Sequence, residues 1–187
     1  NSAVKLLADM HIKCAGQVLD PTLLLNNKEW SQFITKDLLG KYVLIYQIHN
    51  NPILDKYATD FARHVGLPLY RVSPSFHQIT RGGKFIFLPD MGKFLSLIKN
   101  ATYIVTDSFH GTVFSTIFMR QFITLGNAVR GNSRFDSLFN ILGIPKERQT
   151  NNVNQIIDLL QQPIDYKSVN RLKAEWQDKS NSFLQRI

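Results

Sequence analysis

The segment that most constrains the fold is Tyr42-Val43-Leu44-Ile45-Tyr46-Gln47-Ile48, a nearly unbroken apolar, β-prone run. A strand with one wet face alternates apolar and polar residues. A strand without alternation is covered on both faces, as in parallel sheets. Shorter runs of the same kind lie at Pro68–Val72, Lys84–Leu88, Thr102–Val105 and Phe122–Leu125. Helical patterns separate them. Pro52 suits a helix start, Ile53, Leu54, Tyr57, Ala58, Phe61 and Val65 form one face, and Gly66 closes it. Asp90 can cap a helix bearing Phe94, Leu95, Leu97 and Ile98. Ser108–Met119 and Arg134–Leu142 read as helices, the second ended by Gly143, and Val153–Leu160 and Val169–Leu184 as the last two. Strand–helix alternation predicts an α/β fold, a Rossmann-like, mostly parallel sheet with helices on both faces. The 187 residues suit a single domain, 1–187.

Before the first strand, Ser2 is placed to cap a short helix carrying Val4, Leu6, Leu7 and Met10. Asp20-Pro21-Thr22 interrupts the next apolar stretch, and 26–34 reads as loop with one helical turn. Ser73–Gly83 is rich in turn formers and is expected to be a mobile loop. Phe85, Phe87, Phe94, Phe114 and Phe118 are expected in the core. The terminal helix within 163–187 is polar over much of its length and is expected to pack across onto another domain.

A net charge of +8 favours anionic partners. Nucleic acid is set aside, because the basic residues are scattered and no recognition motif accompanies them. With one cysteine, Cys14, an internal disulfide is impossible and a cysteine-based metal site is not expected. No metal or cofactor is expected, and single-cysteine usage suits a reducing cytoplasm. No stretch approaches the roughly 18 apolar residues of a membrane span. Asn1 opens directly into a helical pattern without an initiator Met, so the chain is expected to start inside a longer protein.

In open parallel sheets, ligands bind at the carboxyl ends of the strands. There the sharpest segment is Thr106-Asp107-Ser108-Phe109-His110-Gly111-Thr112, where a strand runs into a helix. A helix start offers free N–H groups to an anion. Ser108 and Thr112 add hydroxyls, Gly111 permits close backbone approach, and His110 adds a group able to carry a proton near neutrality. The same residues also fit a plain capped helix, with Asp107 or Ser108 as the cap.

The run Tyr103-Ile104-Val105-Thr106-Asp107-Ser108-Phe109-His110-Gly111-Thr112-Val113-Phe114-Ser115 resembles the polysaccharide pyruvyl transferase family. So do Val18-Leu19-Asp20-Pro21-Thr22, Phe94–Ala101, Phe122–Leu125 and Arg134–Gly143, in the family's usual order over residues 1 to about 145. The resemblance implies the C-terminal half of a GT-B-like enzyme with two Rossmann-like halves facing a cleft. It implies transfer of the enolpyruvyl carbons of phosphoenolpyruvate to a sugar of a cell-surface polysaccharide or its lipid-linked precursor, forming a pyruvate ketal. Catalysis then falls to His110, as proton donor or phosphate ligand, and donor binding to Ser108, Gly111, Thr112 and Arg134. The chain lacks the family's N-terminal half and an upstream Arg-bearing segment. Alone it is therefore expected to fold and not to transfer pyruvate. Gln121 stands where relatives often carry Pro. A cytoplasmic enzyme, in peripheral contact with the inner face of the membrane where its lipid-linked acceptor resides, fits this reading.

Arg130 and Arg134 flank a Gly-containing loop; Arg suits carboxylate and phosphate through its planar fork, and Arg134 is the stronger candidate. Asp20 and His49 are the acceptor-side candidates. His49, with Gln47, Asn50 and Asn51, also fits a loop holding its own backbone, and Asp20 a simple turn. His11, His64 and His77 show no partner pattern. Two rivals remain: a GT-B glycosyltransferase with a nucleotide-sugar donor, and a non-catalytic anionic-glycan binding module presenting an aromatic platform.

Overall fold

The computed structural model describes residues 2–35, 40–126, 133–150 and 156–186. Its five strands are β1 (Val43–Tyr46), β2 (Leu69–Ser73), β3 (Lys84–Phe87), β4 (Tyr103–Thr106) and β5 (Gln121–Thr124). All neighbouring pairs are parallel, in the order β3-β2-β1-β4-β5. The sheet is the Rossmann-like one expected, and β1 at its centre is the unbroken run from which the argument began.

The reason for that run is visible in its burial. Successive strand side chains point to opposite faces, and both faces of β1 are covered. Leu44, with Ile104 and Phe122, packs beneath α4 (Met91–Asn100), α5 (Phe109–Ile117) and α6 (Ser133–Leu142). Val43 and Ile45, with Val105 and Ile123, pack against Leu54, Ala58 and Phe61 of α3 (Pro52–His64) and Leu160 of α7 (Ile156–Gln161). Each such aliphatic or aromatic side chain contributes about 1.5–3 kcal/mol of burial.

The helix starts use their own side chains. Asn51 caps α3 through its Oδ1, which accepts from Ile53 N and Leu54 N at 3.1 and 3.2 Å. Asp90 accepts from Lys93 N at 2.8 Å to cap α4. A short helix, α2 (Asn27–Ser31), occupies the 26–34 segment and carries a complete capping box between Asn26 and Glu29.

The expected core needs correction at β3. Phe87 is 40% exposed and Phe85 half-buried, because β3 is an edge strand paired only with β2. The 73–83 segment carries a 3₁₀ turn at Phe76–Thr80. The terminal helix, α8 (Tyr166–Leu184), docks on this chain's own elements. Val169 joins the core, Ser180 Oγ accepts from Leu19 N at 3.0 Å, and Gln177 donates to Leu23 O at 2.7 Å. Of the helix expected at Val153–Leu160, the structure places Ile156–Gln161; residues 151–155 lie outside the described ones. Arg130 also lies outside them. Among the described residues, no helix is long and apolar enough to cross a membrane.

One buried charge had no forewarning. Arg71 of β2 is fully buried and pairs with Asp55 of α3, which also binds Arg81. Arg71 further donates to Gln47 Oε1 and Gly82 O, each at 3.2 Å. Burial pushes the Arg71 guanidinium below its ordinary value, and Asp55 opposes that shift. The network ties α3 and the loop before β3 to the carboxyl end of the sheet.

Candidate functional site

Between β1 and β4 the chain reverses its winding: α3 follows β1 onto one face, and α5 follows β4 onto the other. This is the switch point where open α/β sheets hold ligands. Two loops meet there. Thr106 Oγ1 donates to Tyr46 O at 2.7 Å, joining the last residues of the two strands, and accepts from Ser108 N at 3.0 Å. The Asp107 carboxylate reaches across to the loop after β1. It accepts from Ile48 N at 2.8 Å and His49 N at 2.9 Å, and lies 3.2 Å from His49 Nδ1. Its side chain is 5% exposed, that of His49 45%.

Asp107 is therefore a clamp between loops rather than a cap. Ser108 caps α5, its Oγ accepting from Gly111 N at 3.2 Å. Its side chain also hydrogen-bonds the Tyr46 hydroxyl. Burial raises the Tyr46 phenol above its usual value; the Ser108 hydrogen bond opposes this and the Asp107 charge adds to it.

Two residues expected at the donor face inward instead. The Thr112 hydroxyl is fully buried, donating to Ser108 O at 3.1 Å and lying 2.6 Å from Thr124 Oγ1, so it pins α5 to β5. At Gly111 an added Cβ would meet Thr106 Oγ1 at 2.6 Å and the Tyr46 ring at 2.9 Å. Its missing side chain serves helix–strand packing rather than ligand approach. Ser108 is 3% exposed and is committed to the same framework.

His110 faces out. Its side chain is 54% exposed at the first turn of α5, with Nε2 4.0 Å from Asp20 Oδ2. Asp20 is held by its own turn, Oδ1 accepting from Thr22 N at 3.0 Å ahead of the 3₁₀ turn Pro21–Leu24. The two segments quoted for the family resemblance thus meet in space, 90 positions apart in sequence. Arg134 completes the group. Its guanidinium lies 4.1 Å over the Phe109 ring, a cation–π contact. His49 belongs to the Asp107 clamp, and Gln47 donates to Asn51 O at 3.1 Å, as a loop holding its own backbone would.

Two cavities flank the His110–Asp20 pair. One of about 230 Å³ is lined by Asp20, Phe109, Ser133, Arg134 and Ser137, among others. The other, about 460 Å³, is lined by His110, Trp30, Tyr46, Phe94 and Phe114, with Leu88 and Met91 at its rim. The aromatic wall was not legible from sequence, because Trp30, Tyr46 and Phe94 come from three separate elements. Among the described residues no group of His, Cys, Asp and Glu is arranged to hold a metal ion.

The polysaccharide pyruvyl transferase family model matches residues 1–128, a stretch containing His110, Asp20 and the whole sheet. The chain belongs to that family. No curated protein sequence matches it. Among solved structures, this pyruvyl transferase domain is similar to the UDP-GlcNAc 2-epimerase of Methanocaldococcus jannaschii, solved with UDP-GlcNAc and UDP. The identity is 16% and the TM-score 0.53, over 92% of this chain and 58% of that one. It is also similar to the spinosyn rhamnosyltransferase SpnG, at 10% identity and TM-score 0.49, over 82% of this chain and 44% of that one. The chain spans about half the length of these two structures. The likeness to the epimerase is one of fold, a Rossmann-like α/β unit.

Proposed function

We propose that this chain carries the donor-side chemistry of a phosphoenolpyruvate-dependent transferase that places a pyruvate ketal on a sugar of a cell-surface polysaccharide or its lipid-linked precursor. One observation carries the reading: His110 stands exposed at the start of α5, with Asp20 beside it and Arg134 close by. Phosphoenolpyruvate has two anionic ends and a nucleophilic methylene. The Arg134 fork suits its carboxylate or phosphate. The Ser108 cap takes up the Gly111 N–H, and the N–H groups of Phe109 and His110 belong to the same open first turn.

A proton added to C3 makes C2 electrophilic. A sugar hydroxyl attacks C2, phosphate departs, and a second hydroxyl closes the ketal. Of the two hydroxyl protons released, one replaces that consumed at C3 and the other leaves with phosphate. An imidazolium at His110 faces the Asp20 carboxylate, which borders the Arg134-bearing cavity. It can supply the C3 proton or neutralise the phosphate. Asp20 then acts through His110, a positioning role. Catalysis in the cytoplasm, with peripheral contact at the membrane that presents the acceptor, belongs to the same proposal, as does a second, facing Rossmann-like half that completes the cleft.

The test is His110→Ala in the full-length natural protein, with phosphoenolpyruvate and a galactose- or mannose-containing acceptor, reading phosphate release and ketal formation. The expected loss is about 10²–10⁴-fold in rate, with the circular dichroism spectrum and melting temperature unchanged. A near-normal rate would leave His110 as a surface residue and remove the basis of the proposal.

A further inference from the structure

We infer that the larger cavity beside His110 seats the acceptor as a neutral pyranose ring, while phosphoenolpyruvate occupies the smaller, Arg134-bearing cavity across the His110–Asp20 pair. The assignment rests on the pyruvyl-transfer reading above and divides its two substrates between two places.

Charge makes the division. Among the described residues, no Lys, Arg, Asp or Glu lines the larger cavity. A carboxylate and a phosphate placed there would lose water and gain no cation beyond His110, which is costly. The smaller cavity offers Arg134. A pyranose has the opposite needs: apolar C–H faces, a rim of hydroxyls and no charge. The larger cavity matches that with the rings of Trp30, Tyr46 and Phe94 and with polar groups from Thr22, Ser73 and His110. Size agrees, at about 460 against about 230 Å³.

The aromatic wall is fixed in advance. Trp30 and Phe114 meet edge-on at 5.0 Å, Tyr46 and Phe94 at 4.9 Å, and Phe94 and Phe114 at 5.9 Å. The Trp30 indole N–H donates to Thr22 O at 2.9 Å. A wall already held in place needs little ordering when a ring stacks on it. At the rim, Leu88 follows β3 with φ +35°, a backbone region a bulky residue rarely enters, and its side chain is 60% exposed. Such strain is found where a binding surface requires it. His110 lines the larger cavity and faces Asp20, which lines the smaller. A hydroxyl in the larger cavity and the enol carbon in the smaller would therefore lie on either side of the His110–Asp20 pair, whose imidazole can move a proton between them.

The rival occupant is the base of a nucleotide. Aromatic rings would accept it, but its diphosphate would find no Lys or Arg among the described residues of these walls. Titration of the isotope-labelled 187-residue chain with methyl galactopyranoside or mannopyranoside, with phosphoenolpyruvate and with UDP, followed by NMR, separates the cases. The expected result is sugar-induced shifts at the Trp30 indole N–H and at Leu88 and Met91, and phosphoenolpyruvate-induced shifts at Arg134, Phe109 and His110. The variant Met91→Trp, which fills the mouth from an exposed position, should weaken sugar binding about tenfold or more, a difference of about 1.4 kcal/mol, and leave the phosphoenolpyruvate shifts unchanged. Sugar shifts confined to the Arg134 side, UDP shifts at Trp30, or no sugar response at Trp30 well into the millimolar range would overturn the assignment. If phosphoenolpyruvate still reaches His110 in that last case, only the acceptor seat is wrong. If phosphoenolpyruvate leaves His110 and Arg134 untouched, the pyruvyl-transfer reading itself fails.

Discussion

Removing the Asp107 carboxylate should cost the fold more than removing any ligand-facing side chain. Asp107→Ala deprives Ile48 N and His49 N of their acceptor, and both bonds are short, at 2.8 and 2.9 Å. A buried donor left unmade costs about 1–3 kcal/mol. Ile48 and His49 are themselves exposed, so water recovers part of the loss. The expected destabilisation is thus about 2–4 kcal/mol, from two donors at roughly the middle of that range. For a chain of this size that corresponds to a melting temperature lower by about 4–16 °C, at ~2–4 °C per kcal/mol. The His49 ring is half exposed, and its bond to Asp107 is worth only about 0–1 kcal/mol. His49→Ala should therefore be mild, and Asp107→Asn, which keeps one acceptor oxygen, intermediate. Urea denaturation of the three variants and of the Asp107/His49 double variant measures this directly. A loss below about 0.5 kcal/mol for Asp107→Ala, or one equalled by His49→Ala, would show that the carboxylate does not hold the loop after β1.

Gly111→Ala adds a Cβ against Thr106 Oγ1 and the Tyr46 ring; overpacking at about 1–3 kcal/mol, less up to about 1 kcal/mol of helix propensity, should leave a net loss of about 1–2 kcal/mol. A calorimetric melting temperature equal to or above the parent's would refute the packing role. Lys173 is buried on α8 and burial lowers its pKa, so the unfolded chain binds its proton more tightly and stability rises with pH through the interval below 10.5. Lys173→Met should accordingly stabilise by about 1 kcal/mol near neutral pH, with the advantage shrinking toward pH 10; an advantage independent of pH would contradict the burial explanation.

The fold was largely legible because burial on both faces writes itself into sequence as an unbroken apolar run, and β1, β4 and β5 are such runs. Legibility failed where exposure depends on a neighbour that is not there. Phe85 and Phe87 look like core residues, yet they sit on a strand with one partner among the described residues. The site was half legible. A polar turn between a strand and a helix announces a helix N-terminus, so the placing of His110 followed from local pattern. The partner of Asp107 did not, because it lies 58–59 residues away and becomes a neighbour only once β4 is known to lie beside β1. Thr112 and Gly111 were assigned to the ligand because their chemistry allows it. Helix phase decides otherwise by turning both toward the sheet.

That same phase explains how one short motif can hold both a foundation and an exposed side chain, the one to which the proposed function gives the chemistry. From Thr106 to Thr112, the side chains of Thr106, Asp107, Ser108 and Thr112 are buried and bonded to neighbouring elements, while His110 projects outward. A reactive side chain must be held to within a fraction of an ångström, and loops alone rarely do this. Here the first turn of α5 is tied to β1 through Thr106 and Tyr46, to the loop after β1 through Asp107, and to β5 through Thr112 and Thr124. The two loops at the switch point are thereby fixed to the rigid sheet from below. Changes in the motif should then fall into two physical classes. Those at the buried positions should lower stability and disturb His110 indirectly, whereas those at His110 should leave stability alone, since its ring contributes little to the core it stands on, and on the proposed function change only the chemistry.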